Sequence, residues 1–350
     1  MEYKNLTLSG TEKIGLISNL ATMLSAGIPI LEAVDSISED IKGNQKIILD
    51  TLKADLIQGR RIWSTFDKFP RVFDKVTVSV VKASEEAGTL DITLKDLKEQ
   101  IRKQLEFDDK IKSAMIYPAF IFLVFIAVFL VILFVVVPKI GTVFLRLKFK
   151  LPLPTRILIF LSDLLIQHGI VVLAALIGIG VLLSFLFRSK RNFFVNIFFS
   201  FPLISTLVDE IDLTRFARSL YLLLTSGIPI AQALDLTENV VVKSRTEKII
   251  EESKQMVIAG KNLSQGLSRS KGKIPSIMIK LIEAGEKTGT LDKSLSDIAE
   301  YFDYQVSNTL KTILALVEPI MLVLIGIVVG GMMLSIIAPI YGLISQIGGR

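Results

Sequence analysis

The chain contains no cysteine and a single histidine, His168. Without thiols neither a disulfide framework nor a thiolate metal site can form, and the redox compartment stays open. One imidazole bordering an apolar run, with no second histidine, supplies neither a metal cluster nor a catalytic triad, and reads as an interfacial loop residue. Also missing are the Gly-x-x-x-x-Gly-Lys and Gly-x-Gly-x-x-Gly spacings that cradle phosphates. The carboxylate neighbours Glu85 with Glu86, Asp108 with Asp109, and Glu251 with Glu252 are adjacent in sequence. On a helix such neighbours do not face each other, so they read as solvated surface rather than acid and base partners. No catalytic group, cofactor or metal is expected, and no enzymatic activity. The opening residues MEYKNLTLSGTEK have no hydrophobic stretch, so no cleaved signal peptide is expected.

What the chain has in excess is apolar surface: 51% of its 350 residues are hydrophobic, high for a soluble protein with ordinary charge content. Three long uncharged runs hold it, at 119–137, 170–187 and 319–349. Each can supply the roughly 18–25 residues that cross a bilayer as a helix. The third is interrupted by Gly326, Gly330, Gly331, Pro339 and Gly342. The net charge of +6 is not spread over a folded face: residues 1–115 carry 17 basic against 18 acidic side chains, and residues 189–318 carry 16 against 15. The surplus sits mainly between the first two runs, at Lys139, Arg146, Lys148, Lys150 and Arg156 against Asp163. A loop so charged suits anionic lipid headgroups and argues against a nucleic-acid partner.

The decapeptide AGIPILEAVD at 26–35 returns as SGIPIAQALD at 226–235. Further equivalences extend it: Gly59 with Gly260, ASEEAGTLD at 83–91 with AGEKTGTLD at 284–292, and Pro118 with Pro319, at an offset of 200 that becomes 201. A repeat of this length is a duplicated domain rather than a solenoid unit.

Each copy reads as helical. Ile14, Ile17, Leu20, Ala21 and Leu24 recur at spacings of three and four, the mark of an amphipathic helix. Gly27 suits the left-handed residue past its end, Ile28 is pushed extended by the following proline, and Pro29 fits the first turn of the next helix. Gly227 and Pro229 repeat this corner. Gly88 and Gly289 similarly end one helix, Thr89 and Thr290 cap the next, Leu90 and Leu291 enter it, and Asp91 and Asp292 favour its dipole. The helix that follows carries the stripe Leu94, Leu97, Ile101, Leu105 in the first copy and Leu295, Ile298, Phe302, Val306 in the second. It is expected to continue through Pro118 or Pro319 into an apolar run, where proline is tolerated. Glu85 and Glu286, three residues before the repeated glycine, are candidates for domain packing or partner contact.

The predicted fold class is all-α: an integral membrane protein with two homologous cytoplasmic helix bundles and three transmembrane helices. The expected boundaries are bundle 1 at 1–115, span 1 at 116–138, an extracytoplasmic loop at 139–168, and span 2 at 169–188. Bundle 2 follows at 189–316, span 3 at 317–342, and a short tail at 343–350. Two spans between the copies put both on one side. Lys98, Arg102, Lys103, Lys110, Lys112, Arg188, Lys190 and Arg191 favour the cytoplasm, against the basic loop. The stretch NFFVNIFFSFPLIS at 192–205 is too short for a span and reads as an interfacial helix or a core helix of bundle 2. The runs contain no ionisable residue beyond Glu318 at the edge of the third, whereas pumps and coupled transporters place such groups within the bilayer.

RFARSLYLLLTSGIPIAQALDL at 215–236, AGEKTGTLD at 284–292 and VEPIMLVLIGIVVGGMMLSIIAPIY at 317–341 resemble the inner-membrane platform proteins of type IV pilus and type II secretion systems, the GspF/PilC family. The resemblance covers nearly the entire chain. It implies a multi-pass cytoplasmic-membrane protein with two six-helix bundles in the cytoplasm. It further implies that the protein engages a hexameric ATPase, prepilin or pseudopilin subunits and other inner-membrane assembly proteins, and forms a homo-oligomer. Phe216, Arg218 and Leu220 fit the family's Phe-x-Arg-x-Leu pattern, and with Arg215 the arginine becomes a candidate partner contact. The first copy has Leu16, Ser18 and Leu20 there, without the arginine. The N-terminal extension common in pilus versions is nearly absent. Two other classes compete: a small repeat-containing transporter or permease subunit, whose repeats would duplicate the membrane part, and a membrane-bound enzyme, which the empty catalytic inventory disfavours.

Overall fold

A computed structural model describes residues 3–146, 153–169, 178, 202–270 and 272–347. Among the described residues there is no strand. The chain divides into two units, one of Met1–Lys110 with Thr206–Asn308 and the other of Ile111–Ser205 with Thr309–Arg350. The first unit therefore contains the bundle part of both copies of the repeat, and Pro118 and Pro319 fall in the second.

In the first copy the helices are α1 (Gly10–Ser25), α2 (Ile30–Asp40), α3 (Asn44–Ile57), α4 (Ile62–Phe66), α5 (Lys75–Ala87) and the start of α6 (Leu90–Val131). The second copy repeats them as α9 (Pro202–Thr225), α10 (Ile230–Thr237), α11 (Ser244–Ile258), α12 (Leu263–Ser268), α13 (Ser276–Thr288) and the start of α14 (Leu291–Ile347). Each is a bundle of six helices, as the resemblance implies. Helix α1 is opened by a capping box: the Glu12 amide donates to Ser9 Oγ at 3.2 Å and the Ser9 amide to Glu12 Oε2 at 2.7 Å, which satisfies two orphan donors at once. The stripes expected from periodicity face inward: Ile17, Leu20, Ala21, Leu94, Leu97, Ile101, Leu295, Ile298, Phe302 and Val306 are buried, while Ile14, Leu24 and Leu105 are partly buried against the same core.

The repeated corners have the same geometry twice. Gly27 and Gly227 both have φ of 80°, a region that costs an L side chain energy and glycine almost none. The Ile28 amide then donates to Met23 O at 3.0 Å and the Ile228 amide to Leu223 O at 3.1 Å. Pro29 and Pro229 stand one residue earlier than expected. They are the caps before α2 and α10, and their carbonyls accept from Ala33 and Ala233 at 2.9 Å. A cap needs no amide donor of its own, so proline serves there as well as in the first turn. At the second corner Gly88 and Gly289 are left-handed C-caps. Thr89 and Thr290 follow as the residues whose carbonyls accept from Thr93 and Ser294 at 3.1 Å. The Thr290 hydroxyl meets that of Thr288 at 2.7 Å.

In the second unit α6 continues through Pro118 to Val131 and passes into a π-helical turn, Ile132–Val136. Helix α14 continues through Pro319 to Ile347. Leu90–Lys139 and Leu291–Leu334 are the two described helices long and apolar enough to cross a membrane by length and composition. Within the expected extracytoplasmic segment at 139–168, the described residues are largely helical, as α7 (Val137–Arg146) and α8 (Leu153–Gln167). At the π turn, where carbonyls lose their usual i+4 partners, the buried Ser162 hydroxyl of α8 donates to Leu133 O at 2.7 Å. The second apolar run, and 192–201 of the expected interfacial helix, lie outside the described residues; from Pro202 that stretch is the start of α9.

Candidate functional site: a heterologous seam between the two copies

Within the first unit, α6 and α14 meet side by side. Lys103 pairs with Glu300 at 3.2 Å and Lys110 with Asp303 at 3.3 Å. The partner numbers rise together, so the two helices run parallel. Both Lys103 and Lys110 are partly exposed, and such rim pairs contribute only about 0–1 kcal/mol each.

The buried part of the seam comes from α9. Arg218 is 8% exposed; its Nη1 donates to Gln104 Oε1 at 3.1 Å, and its guanidinium lies 5.4 Å from the centroid of the buried Phe107 ring. Arg215 Nη2 donates to Asp108 Oδ1 at 3.4 Å. Burial pushes the Arg218 guanidinium below its ordinary value, against the charges of Asp303 and Asp108. A cavity of about 440 Å3 opens along this seam, with Lys13, Asp74, Gln104, Asp108, Arg215 and Arg218 on its walls. The two arginines named from sequence thus contact the other copy of the same chain. Asp108, read as solvated surface, is a seam residue.

The seam is not reciprocal. Phe107 and Gln104 correspond to Asn308 and Gln305, and Arg218 to Ser18. A two-fold contact would need each surface on both copies. Ser18, at the place of Arg218, has no guanidinium to make the contacts of this seam.

Glu85 and Glu286 point inward. Glu85 accepts from the amides of Ile62 at 3.1 Å and Trp63 at 3.3 Å, at the start of α4. Glu286 does the same for α12, accepting from the Leu263 amide at 2.5 Å, the Ser264 amide at 3.3 Å and the Ser264 hydroxyl at 2.5 Å. Neither short helix has a side-chain cap of its own from Arg61 or Asn262, so a carboxylate from the C-terminal end of the following helix, α5 or α13, satisfies its orphan donors. Glu85→Ala and Glu286→Ala are each expected to cost about 1–2 kcal/mol. The second should cost more because it also strands the Ser264 hydroxyl. Urea unfolding of the two purified variants, with midpoints compared to the parent, checks the order.

The family model for "Type II secretion system (T2SS), protein F" matches twice, over residues 16–138 and 216–339. The type IV pilus assembly protein PilC of Thermus thermophilus is 31% identical over 347 residues, covering 97% of this chain and 84% of that protein. PilC of Myxococcus xanthus is 29% identical over 343 residues, 97% and 82% of the two chains. Type II secretion system protein F of Pseudomonas aeruginosa is 29% identical over 347 residues, 97% and 85%.

Proposed function

The chain belongs to the type II secretion system protein F family, and from that premise we propose that it is the inner-membrane platform of a type IV pilus or type II secretion machine. On this reading both bundles lie in the cytoplasm and the chain crosses the membrane three times. It couples a hexameric ATPase to the assembly of prepilin or pseudopilin subunits. It has no catalysis of its own, and it works with other inner-membrane assembly proteins and a second copy of itself.

Continuity carries the reading. Helices α6 and α14 each begin at a Gly-Thr-Leu-Asp corner in a bundle and run on through a proline into an apolar stretch. A displacement imposed on a bundle is passed along a helix that stays continuous through its proline, although the proline removes one backbone hydrogen bond, since a continuous secondary element is what carries coupling over such distances. The permease alternative gains nothing from the described apolar segments of α6 and α14. The cavity of about 270 Å3 between them is walled by Phe120, Phe125, Phe129, Ile325, Met332 and similar side chains, with no polar group to hold a solute.

A flexible Gly-rich insertion after Lys110 is expected to abolish filament assembly while membrane insertion persists, and the same insertion in the α2–α3 turn at Gly43 to leave assembly largely intact. Assembly is scored by surface filaments or secreted substrate and insertion by membrane fractionation. Normal assembly with the Lys110 insertion would sink the relay. Recovery of the ATPase and prepilin-like chains with the tagged protein from native membranes tests the partner assignment.

A further inference from the structure

The turns that lead from α3 to α4 and from α11 to α12 are built alike and exposed alike. Residues 57–61 read Ile-Gln-Gly-Arg-Arg and residues 258–262 read Ile-Ala-Gly-Lys-Asn. Ile57 is 65% exposed and Ile258 is 63% exposed. A single exposed isoleucine is ordinary. Two at equivalent positions of a duplicated domain are less so, because the exposed isoleucines Ile47 and Ile92 of the first copy correspond to Lys248 and Lys293 in the second. Arg60, Arg61 and Lys261 stand exposed beside the two isoleucines.

The position of the turns is fixed by the inward carboxylates. Glu85 reaches the first residues of α4, and Glu286 those of α12, from the ends of α5 and α13, two or three residues before the chain turns into α6 and α14. Both turns therefore sit where α6 and α14 begin. The two helices run parallel, so both turns lie at the same end of the unit. From Leu90 to Lys110 the axis of α6 rises by about 30 Å, which separates these turns from the end at which the helices leave the unit toward their apolar stretches.

We infer that residues 57–61 and 258–262 are a pair of homologous docking tips for a protein surface that presents an acid-rimmed apolar socket more than once, as a ring of identical subunits does. The tips stand at the end of α6 and α14 away from their apolar stretches, and basic tips suit an acidic protein partner. Two tips on one compact unit make the second contact intramolecular, so two weak sockets add up to a firm attachment. The assignment of the ring as the hexameric ATPase rests on the proposed platform function.

The test uses the full-length protein in nanodiscs with the purified ATPase of the same system as probe. Ile57→Ser and Ile258→Ser are each expected to weaken binding about tenfold and the double variant about a hundredfold. Arg61→Glu with Lys261→Glu should lower both affinity and its salt dependence. Ile47→Ser, an exposed isoleucine near the other end of α3, should bind as the parent does. If the parent binds and the double variant binds equally, the tips are overturned while the platform reading stands. If the parent does not bind the ATPase, both fall. If the double variant keeps its ATPase affinity but loses binding to anionic vesicles, or loses self-association, the occupant is lipid or a second copy and the proposal is overturned.

Discussion

Asp55→Ala is expected to destabilise the first bundle by about 2–4 kcal/mol. The Asp55 side chain is 6% exposed and yet gathers three partners: Lys68 Nζ donates to Oδ2 at 2.5 Å, Thr65 Oγ1 to Oδ2 at 2.7 Å, and Arg60 Nη1 to Oδ1 at 3.2 Å. It ties the end of α3 to α4 and to the turn that follows. Removing it strands the Thr65 hydroxyl, which is fully buried, and leaves Lys68 without its counter-charge. Burial alone would raise the carboxyl, but the hydrogen bonds from Lys68 and Thr65 and the charges of Lys68 and Arg60 outweigh it and hold it below its ordinary value. A carboxyl lowered by folding contributes stability that is present above the unfolded value, about 3.9, and is lost as pH falls through the folded one. The parent should therefore lose stability below about pH 4, and Asp55→Ala should lose less over the same interval. Trp63, the only tryptophan, lies in α4 and reports the transition by fluorescence. An unchanged urea midpoint at pH 7 would refute the account. The second copy has Met256 at this place, so the dependence belongs to the first bundle alone.

Asp55 also shows where the sequence could have been read further. Ile48, Leu52 and Asp55 share the buried face of α3 at spacings of four and three, so an acid on an apolar stripe was a visible anomaly. The helices themselves were legible because their signals are local: periodic apolar residues, a glycine that must be left-handed, a proline that must begin a turn. The duplication was legible because Gly27 and Gly227, or Gly88 and Gly289, keep both identity and offset. The inward turn of Glu85 and Glu286 was half legible. Their equivalence marked them as structural, but the amides they satisfy lie 22 or 23 residues away, and only the packing of α4 on α5 brings these together. The seam was not legible at all. Lys103 and Lys110 look like basic flanks of a span, and Asp108 like surface, until Glu300, Asp303 and Arg215 are beside them. A repeat invites the expectation of two-fold contacts, and the substitution of Ser18 for Arg218 and Asn308 for Phe107 is what breaks it.

Arg218→Ala is expected to loosen the joining of the two copies more than any other substitution in the seam, by about 2–3 kcal/mol. The charge itself is not the main source of that loss. Burial lowers the Arg218 guanidinium, so desolvation works against it, and the nearest carboxylates already serve others: Asp108 accepts from Arg215 and Asp303 from Lys110. What Arg218 contributes is its buried stem, one hydrogen bond to Gln104 and the face of Phe107. Methionine fills a similar volume without the desolvation, so Arg218→Met should recover more than half of the loss. Pairing Arg218→Ala with Phe107→Ala should give a coupling of about 1 kcal/mol, the size of a partly desolvated cation–π contact. Arg215→Ala, at the exposed edge, should cost less than about 1 kcal/mol. Thermal unfolding of the full-length variants in one detergent measures all four. If Arg218→Met is as damaging as Arg218→Ala, the guanidinium's charge, and not its bulk against the ring, holds the copies in register, and the seam would then weaken with salt where packing would not.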